Sequence, residues 1–185
     1  EVVGWTASLL CGDDNVAGFL TSGGTESILC AVLAARERAA VERSVTEPEI
    51  VLAESAHAAF HKAAHNFGLV VRKAPVRADF TADVDAMAQM VNANTAIVVG
   101  SAPQYPHGVQ DDIQAIAAIA ASVDANCHVD ACMGGFVLPF VERLGRDVAP
   151  WDFRVAGVTT ISADIHKLGY APKGVSAILH RTKQS

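Results

Sequence analysis

Short runs of β-branched and aliphatic residues alternate with alanine-rich stretches of helical length, and this alternation constrains the fold more than any other feature of the chain. The runs at 50–53, 69–71, 95–99, 127–129, 157–162 and 175–179 predict strands, and the stretches at 25–42, 56–66, 83–92 and 111–122 predict helices. Such an order builds an α/β fold, a mainly parallel sheet with helices on both faces. No internal repeat, linker or low-complexity tract interrupts it, so residues 1–185 are expected to form a single domain.

Composition closes off several classes of function. Half of the 185 residues (51%) are hydrophobic, enough for a substantial core. The apolar residues lie in short runs broken by Gly, Pro, Asp or His, well below the roughly 20 consecutive apolar residues of a membrane span. A net charge of -6 without any Lys/Arg cluster gives no footprint for a nucleic acid. The four cysteines are irregularly spaced with no CxxC pair, so they are read as reduced thiols in a cytoplasmic setting. The chain starts at Glu1, carries no signal peptide and stops soon after its last predicted strand, from which a fragment of a longer protein is expected.

In open α/β sheets ligands gather where strands run out into helices. Four such places carry unusual polar chemistry. Thr21-Ser22-Gly23-Gly24-Thr25-Glu26 opens the first predicted helix, where side-chain-free glycines and the helix N-terminus can close on an anion. Taken alone, the same residues would serve equally well as a helix cap. The run lacks the Lys of a P-loop and the GxGxxG of a dinucleotide site, which disfavours a nucleotide. Asp130, in His128-Val129-Asp130-Ala131, ends an apolar strand and needs a cationic partner such as a protonated pyridine nitrogen, unless it merely caps the next turn. Lys167 follows a strand and His166 directly. To act as a Schiff-base lysine it needs a pocket that lowers its pKa, whereas an isolated lysine is ordinarily a solvated surface residue.

His57, in Ser55-Ala56-His57-Ala58, sits where a strand gives way to a helix and could lie flat against an aromatic cofactor, or simply cap or pack. Tyr105 and His107, in Gln104-Tyr105-Pro106-His107-Gly108, offer further proton-transfer groups. His61 and His65 have the spacing of a zinc pair but no Glu between them and no third ligand, so no metal is expected. Nothing activates Cys127 or Cys132, which are read as packing residues.

In order, Thr21 to Ser27, Ser55 to Ala63, His128 to Gly135 and Ser162 to Ser176 resemble the group II pyridoxal 5'-phosphate (PLP) decarboxylases. The run Ile161-Ser162-Ala163-Asp164-Ile165-His166-Lys167-Leu168-Gly169-Tyr170-Ala171-Pro172-Lys173-Gly174, with Pro103 to Gly108, narrows the resemblance to the sphingosine-1-phosphate lyase family. That resemblance implies a fold type I, transferase-like large domain with PLP as cofactor. It implies that Lys167 binds PLP covalently, that Gly23, Gly24, Thr25, Ser162 and His166 line the cofactor and phosphate site, that Asp130 pairs with the pyridinium and that His57 stacks on the ring. Tyr105 and Lys173 would face the substrate, a phosphorylated long-chain base cleaved between C2 and C3 to a fatty aldehyde and phosphoethanolamine. The resemblance further implies a homodimer with its active site at the interface, flanked by an N-terminal segment and a small C-terminal domain that are missing here; the N-terminal segment carries an anchor in membrane-bound members.

Two other readings share these residues. An amino-acid decarboxylase would keep Lys167, Asp130 and His57 but would need a site for the substrate carboxylate. A non-catalytic, truncated domain would retain the motifs without the chemistry.

Overall fold

The computed structural model describes residues 1–183. In chain order its elements are α1 (Val2–Leu9), β1 (Ala17–Thr21), α2 (Gly24–Arg43), β2 (Glu49–Ala53), α3 (Ala59–Phe67), β3 (Val70–Ala74), α4 (Val84–Met90), β4 (Thr95–Ser101), α5 (Ile113–Ser122), β5 (Asn126–Asp130), α6 (Leu138–Arg143), β6 (Val158–Ala163) and β7 (Ser176–His180). The strands form one sheet in the order β1-β7-β6-β5-β4-β2-β3. β3, β2, β4, β5 and β6 run parallel, while β7 is antiparallel to both β6 and β1. The mainly parallel α/β sheet expected from the sequence is therefore present. α1, β1 and α6 are additions to it.

The central strands β2, β4 and β5 are buried along their whole length; β2 and β4 accordingly carry continuous apolar runs, Ile50 to Ala53 and Ala96 to Gly100, whereas β5 buries the polar Asn126, His128 and Asp130 between its apolar residues. Successive side chains still point to opposite faces. Val51, Val98 and Val129 join Met87, Ile113 and Ile116 in one core, whereas Ile50, Leu52, Ile97 and Val99 join Ile28, Val32 and Phe60 in the other. Helices thus cover both faces. Phe60 is fully buried, and losing its ring would cost about 3–5 kcal/mol.

Local signals set the helix ends. Asp83 and Asp112 cap α4 and α5 by accepting from the amides of Ala86 and Ala115 at 3.2 and 3.0 Å. Gly68 ends α3 at φ 71°, a left-handed conformation that glycine adopts without steric cost. The parallel strands all point their C-terminal ends to one edge of the sheet, so the residues that follow β2, β4, β5 and β6 converge there, beside the start of α2.

Candidate functional site

A cavity of about 370 Å³ opens at that edge. Its wall brings together Gly23, Gly24 and Thr25 from the head of α2, His57 from the loop after β2, Tyr105 from the loop after β4, Asp130 from the end of β5, and His166, Lys167 and Lys173 from the turns after β6. Residues 150 positions apart in the chain meet here because a parallel sheet returns every strand to the same edge.

At the head of α2 the first amides have no carbonyl partner within the helix. Ser22 donates both its N–H and its hydroxyl to Glu26, at 2.6 and 2.7 Å, which holds the Glu26 carboxyl below its ordinary range. The chain runs so close to the cavity floor that only glycine fits at position 24. A β-carbon there would lie 2.7 Å from Cys132 Sγ and 2.8 Å from Asp164 Oδ1.

Asp130 is 8% exposed and accepts from the Cys132 amide at 3.1 Å. Ser162 stands apart from the cavity wall. It is fully buried, paired in register with Asp130, and its hydroxyl donates to Asp130 Oδ1 at 3.4 Å. Behind it, His128 Nε2 lies 3.2 Å from the same hydroxyl and His128 Nδ1 lies 2.8 Å from Thr160 Oγ1. Burial, with a smaller contribution from His180, pushes the His128 imidazole down to about 3, so it is neutral. Burial likewise pushes the Cys132 thiol well above its ordinary value, with the Asp130 and Asp164 carboxylates adding to the effect. A thiol so raised stays protonated, which disfavours it as a nucleophile. The cysteines at 11, 30, 127 and 132 are all free.

Lys167 differs from expectation. Its Nζ lies 2.8 Å from Asp164 Oδ2, and Asp164 is 2% exposed. Partial burial pulls the ammonium pKa down, but the hydrogen bond and charge of Asp164, backed by Cys132 and Asp130, outweigh it and raise the pKa above its ordinary value. Asp164 belongs to the quoted motif, but no role is assigned to it from the sequence. Its three-residue spacing from Lys167 was the one available signal.

His166 Nδ1 lies 2.7 Å from the Val175 carbonyl and its Nε2 lies 3.9 Å from Asp164 Oδ2, so the ring is anchored at one nitrogen with the other toward the cavity. His57 Nδ1 accepts from the Ala59 amide at 3.1 Å, and its ring meets Tyr105 edge-on at 6.1 Å. Tyr105 and Lys173 are exposed at the mouth. Gln104, buried beneath Tyr105, holds this loop through the His107 amide at 2.8 Å and the Phe80 carbonyl at 3.2 Å. His107 itself stacks on Phe80 and does not line the cavity. His61 and His65 are exposed on α3, away from the site.

The arrangement can hold an anion at the helix head, a cationic ring nitrogen at Asp130 and a carbonyl within reach of Lys167. Comparison with known proteins agrees with that chemistry. A family model described as the pyridoxal-dependent decarboxylase conserved domain matches residues 1–185. The chain is 47% identical over 189 residues to a sphingosine-1-phosphate lyase of Oryza sativa subsp. japonica, covering 100% of this chain and 35% of that protein. Among solved structures, a Burkholderia pseudomallei sphingosine-1-phosphate lyase superposes with a TM-score of 0.95 at 46% identity, covering 98% of this chain and 44% of the other. A Lactobacillus brevis glutamate decarboxylase superposes with a TM-score of 0.88 at 26% identity, covering 99% and 44%. The chain thus spans about a third of the length of the curated relatives it matches.

Proposed function

The chain belongs to the pyridoxal-dependent decarboxylase family, and on that premise we propose that it is the PLP-binding core of a carbon–carbon lyase acting on phosphorylated long-chain bases. The fit to the cofactor is made by residues of this chain. The head of α2 offers backbone amides where a β-carbon would be excluded, a fit for the PLP phosphate at Gly24 and Thr25 with His166 beside them. Asp130 supplies a buried carboxylate for the pyridinium, with Ser162 holding that carboxylate from behind. His57 supplies a ring at the wall and Lys167 the amine for covalent attachment. When bound, PLP supplies an electron sink for the breaking carbon–carbon bond.

Tyr105 and Lys173 stand where a substrate would enter. Lys173 suits the substrate phosphate. Tyr105, on the cavity wall, is placed to move a proton at the C3 hydroxyl or to contact the phosphate, whereas His107, stacked on Phe80 outside the cavity, is not within reach of that hydroxyl. Cleavage between C2 and C3 would give a fatty aldehyde and phosphoethanolamine. A homodimer fits this reading, since a second subunit could complete the open mouth, and so does a cytoplasmic location. Among the described residues no helix is long and apolar enough to cross a membrane.

The observation that carries the reading is the meeting of Gly24, Asp130, His57 and Lys167 around one cavity. The experiment that tests it is borohydride trapping of added PLP with peptide mapping, followed by assays of sphingoid-base phosphates and amino acids for aldehyde and carbon dioxide. PLP on Lys167 and aldehyde release are expected. Trapping elsewhere, or carbon dioxide without aldehyde, would overturn the assignment in favour of a non-catalytic domain or a decarboxylase respectively.

A further inference from the structure

Asp164 has no place in the reading above, yet it is the charged group nearest the reactive lysine. We propose that Asp164 is a positioning residue for Lys167: anchored by a buried chain of hydroxyls, its carboxylate holds the lysine as an ammonium whenever the amine is unattached. The proposal rests on the reading of Lys167 as the point of covalent attachment.

The anchoring is built from three elements. Thr21 Oγ1, at the end of β1, lies 2.7 Å from Ser27 Oγ on α2, which lies 3.2 Å from Ser176 Oγ on β7, which donates to Asp164 Oδ1 at 2.5 Å. Ser27, Ser176 and Asp164 are at most 2% exposed and Thr21 is 6% exposed. Each hydroxyl has one proton to donate, and a carboxylate can only accept. The carboxylate at 2.5 Å takes the Ser176 proton ahead of the Ala163 carbonyl at 3.1 Å, so Ser27 donates to Ser176 and accepts from Thr21, whose hydroxyl also lies 3.2 Å from the Gly23 carbonyl. Asp164 Oδ1 is satisfied by Ser176, which leaves Oδ2 for Lys167 Nζ at 2.8 Å. A buried carboxylate with a fixed hydrogen bond on one oxygen has little freedom to turn away from the cation on the other.

The remaining ionisable groups do not displace this pairing. Asp130 faces the cavity from the end of β5, Cys132 from the loop after it, and Glu26 from the head of α2. His57 and Tyr105 enter from the loops after β2 and β4, and His166 and Lys173 from the turns around Lys167 itself. Of these, none lies within ion-pairing distance of Lys167 Nζ, and His166 Nε2 approaches Asp164 Oδ2 only at 3.9 Å against 2.8 Å for the lysine. The hydroxyl chain also starts at the phosphate-binding segment, so the head of α2 and the lysine are set by one continuous network.

The test follows the pH dependence of Lys167 acetylation by acetic anhydride in the complete, cofactor-free protein, by peptide mass spectrometry with exposed Lys62 as internal reference. The midpoint for Lys167 is expected above that of Lys62. Asp164→Asn, close in shape but uncharged, should lower it, because partial burial is then opposed only by the weaker influence of Asp130 and Cys132. Asp164→Glu should keep it above Lys62. A wild-type midpoint at or below Lys62, or an unchanged midpoint in Asp164→Asn, overturns the proposal. Should the Asn variant not fold, Asp164→Ser is read the same way, and the wild-type comparison needs no variant. Borohydride trapping on the same samples separates the two claims. PLP found away from Lys167 removes the covalent reading, whereas PLP on Lys167 with a low amine midpoint removes only the role of Asp164.

Discussion

The backbone of Gly24 runs so close to Cys132 that a β-carbon at position 24 would sit 2.7 Å from the thiol sulfur. On the other side it would meet both carboxylate oxygens of Asp164, which Ser176 and Lys167 hold in place. The glycine is therefore a matter of space, not of dihedral freedom.

Gly24→Ala should for this reason cost about 1–3 kcal/mol through overpacking. Because the strain falls on the helix head that fits the phosphate, PLP affinity should fall about tenfold or more, in line with 1.4 kcal/mol per decade. Thermal melting and PLP titration together check this. Unchanged PLP affinity would mean that the cofactor phosphate binds elsewhere.

Asp130→Asn should leave PLP trapped on Lys167 while removing the charge that pairs with the pyridinium. The side-chain oxygen can still accept from the Cys132 amide, so the loop after β5 should hold its shape. Losing one partner of a buried charge pair costs about 3–5 kcal/mol. At 1.36 kcal/mol per decade that corresponds to a fall in turnover of roughly two to four powers of ten. Steady-state kinetics at saturating PLP would show it, and a variant of near wild-type turnover would place the pyridinium elsewhere.

His128 gives the fold a dependence on acid. Its folded pKa, about 3, lies below the ordinary 6.5, so between those values the unfolded chain binds a proton that the folded one does not. The contribution is intact above pH 6.5 and is lost progressively as pH falls toward 3. Each unit in that window costs about 1.4 kcal/mol, or about 2 kcal/mol between pH 6.5 and pH 5. Urea unfolding at a series of pH values should show this slope in the wild type and a shallower one in His128→Gln. Equal slopes would assign the acid sensitivity to other groups.

How far the sequence reached depended on how local each signal was. β2, β4 and β7 were legible because strands buried on both faces leave short apolar runs, and β5 and β6 because Cys127 to Val129 and the β-branched Val158, Thr159, Thr160 and Ile161 favour an extended backbone. β1 was not. Its Ala17-Gly18-Phe19-Leu20-Thr21 is interrupted by glycine, it lies at the sheet edge, and it is a strand because of partners at 176–180. α1 carries Gly4 and Trp5 without a polar face, and α6 spans only Leu138–Arg143, so neither had a helical period to read. At the site, residues marked by motif spacing lie on the cavity wall. Ser162 and Asp164 were legible as motif members but not in their contacts, since the first is set by its register against Asp130 and the second by a serine on β7.

On the proposed reading, Lys173 is the residue that would distinguish the lyase from a decarboxylase. It is exposed at the mouth, six positions after Lys167 and on the cavity wall, where it is placed for a substrate group that lies outside the cofactor's own contacts. An exposed lysine paired with a carboxylate would contribute at most about 1 kcal/mol. A charge-assisted hydrogen bond to a phosphate is stronger, about 1.5–3 kcal/mol. Lys173→Ala should therefore lower kcat/KM for a sphingoid-base phosphate by roughly tenfold to a hundredfold while leaving PLP affinity unchanged, with the loss growing smaller as salt is added. Lys173→Arg, which keeps the charge, should recover part of it. Competition by inorganic phosphate should weaken in Lys173→Ala, and an unchanged inhibition by phosphate would mean that Lys173 shapes the mouth rather than reading the phosphate.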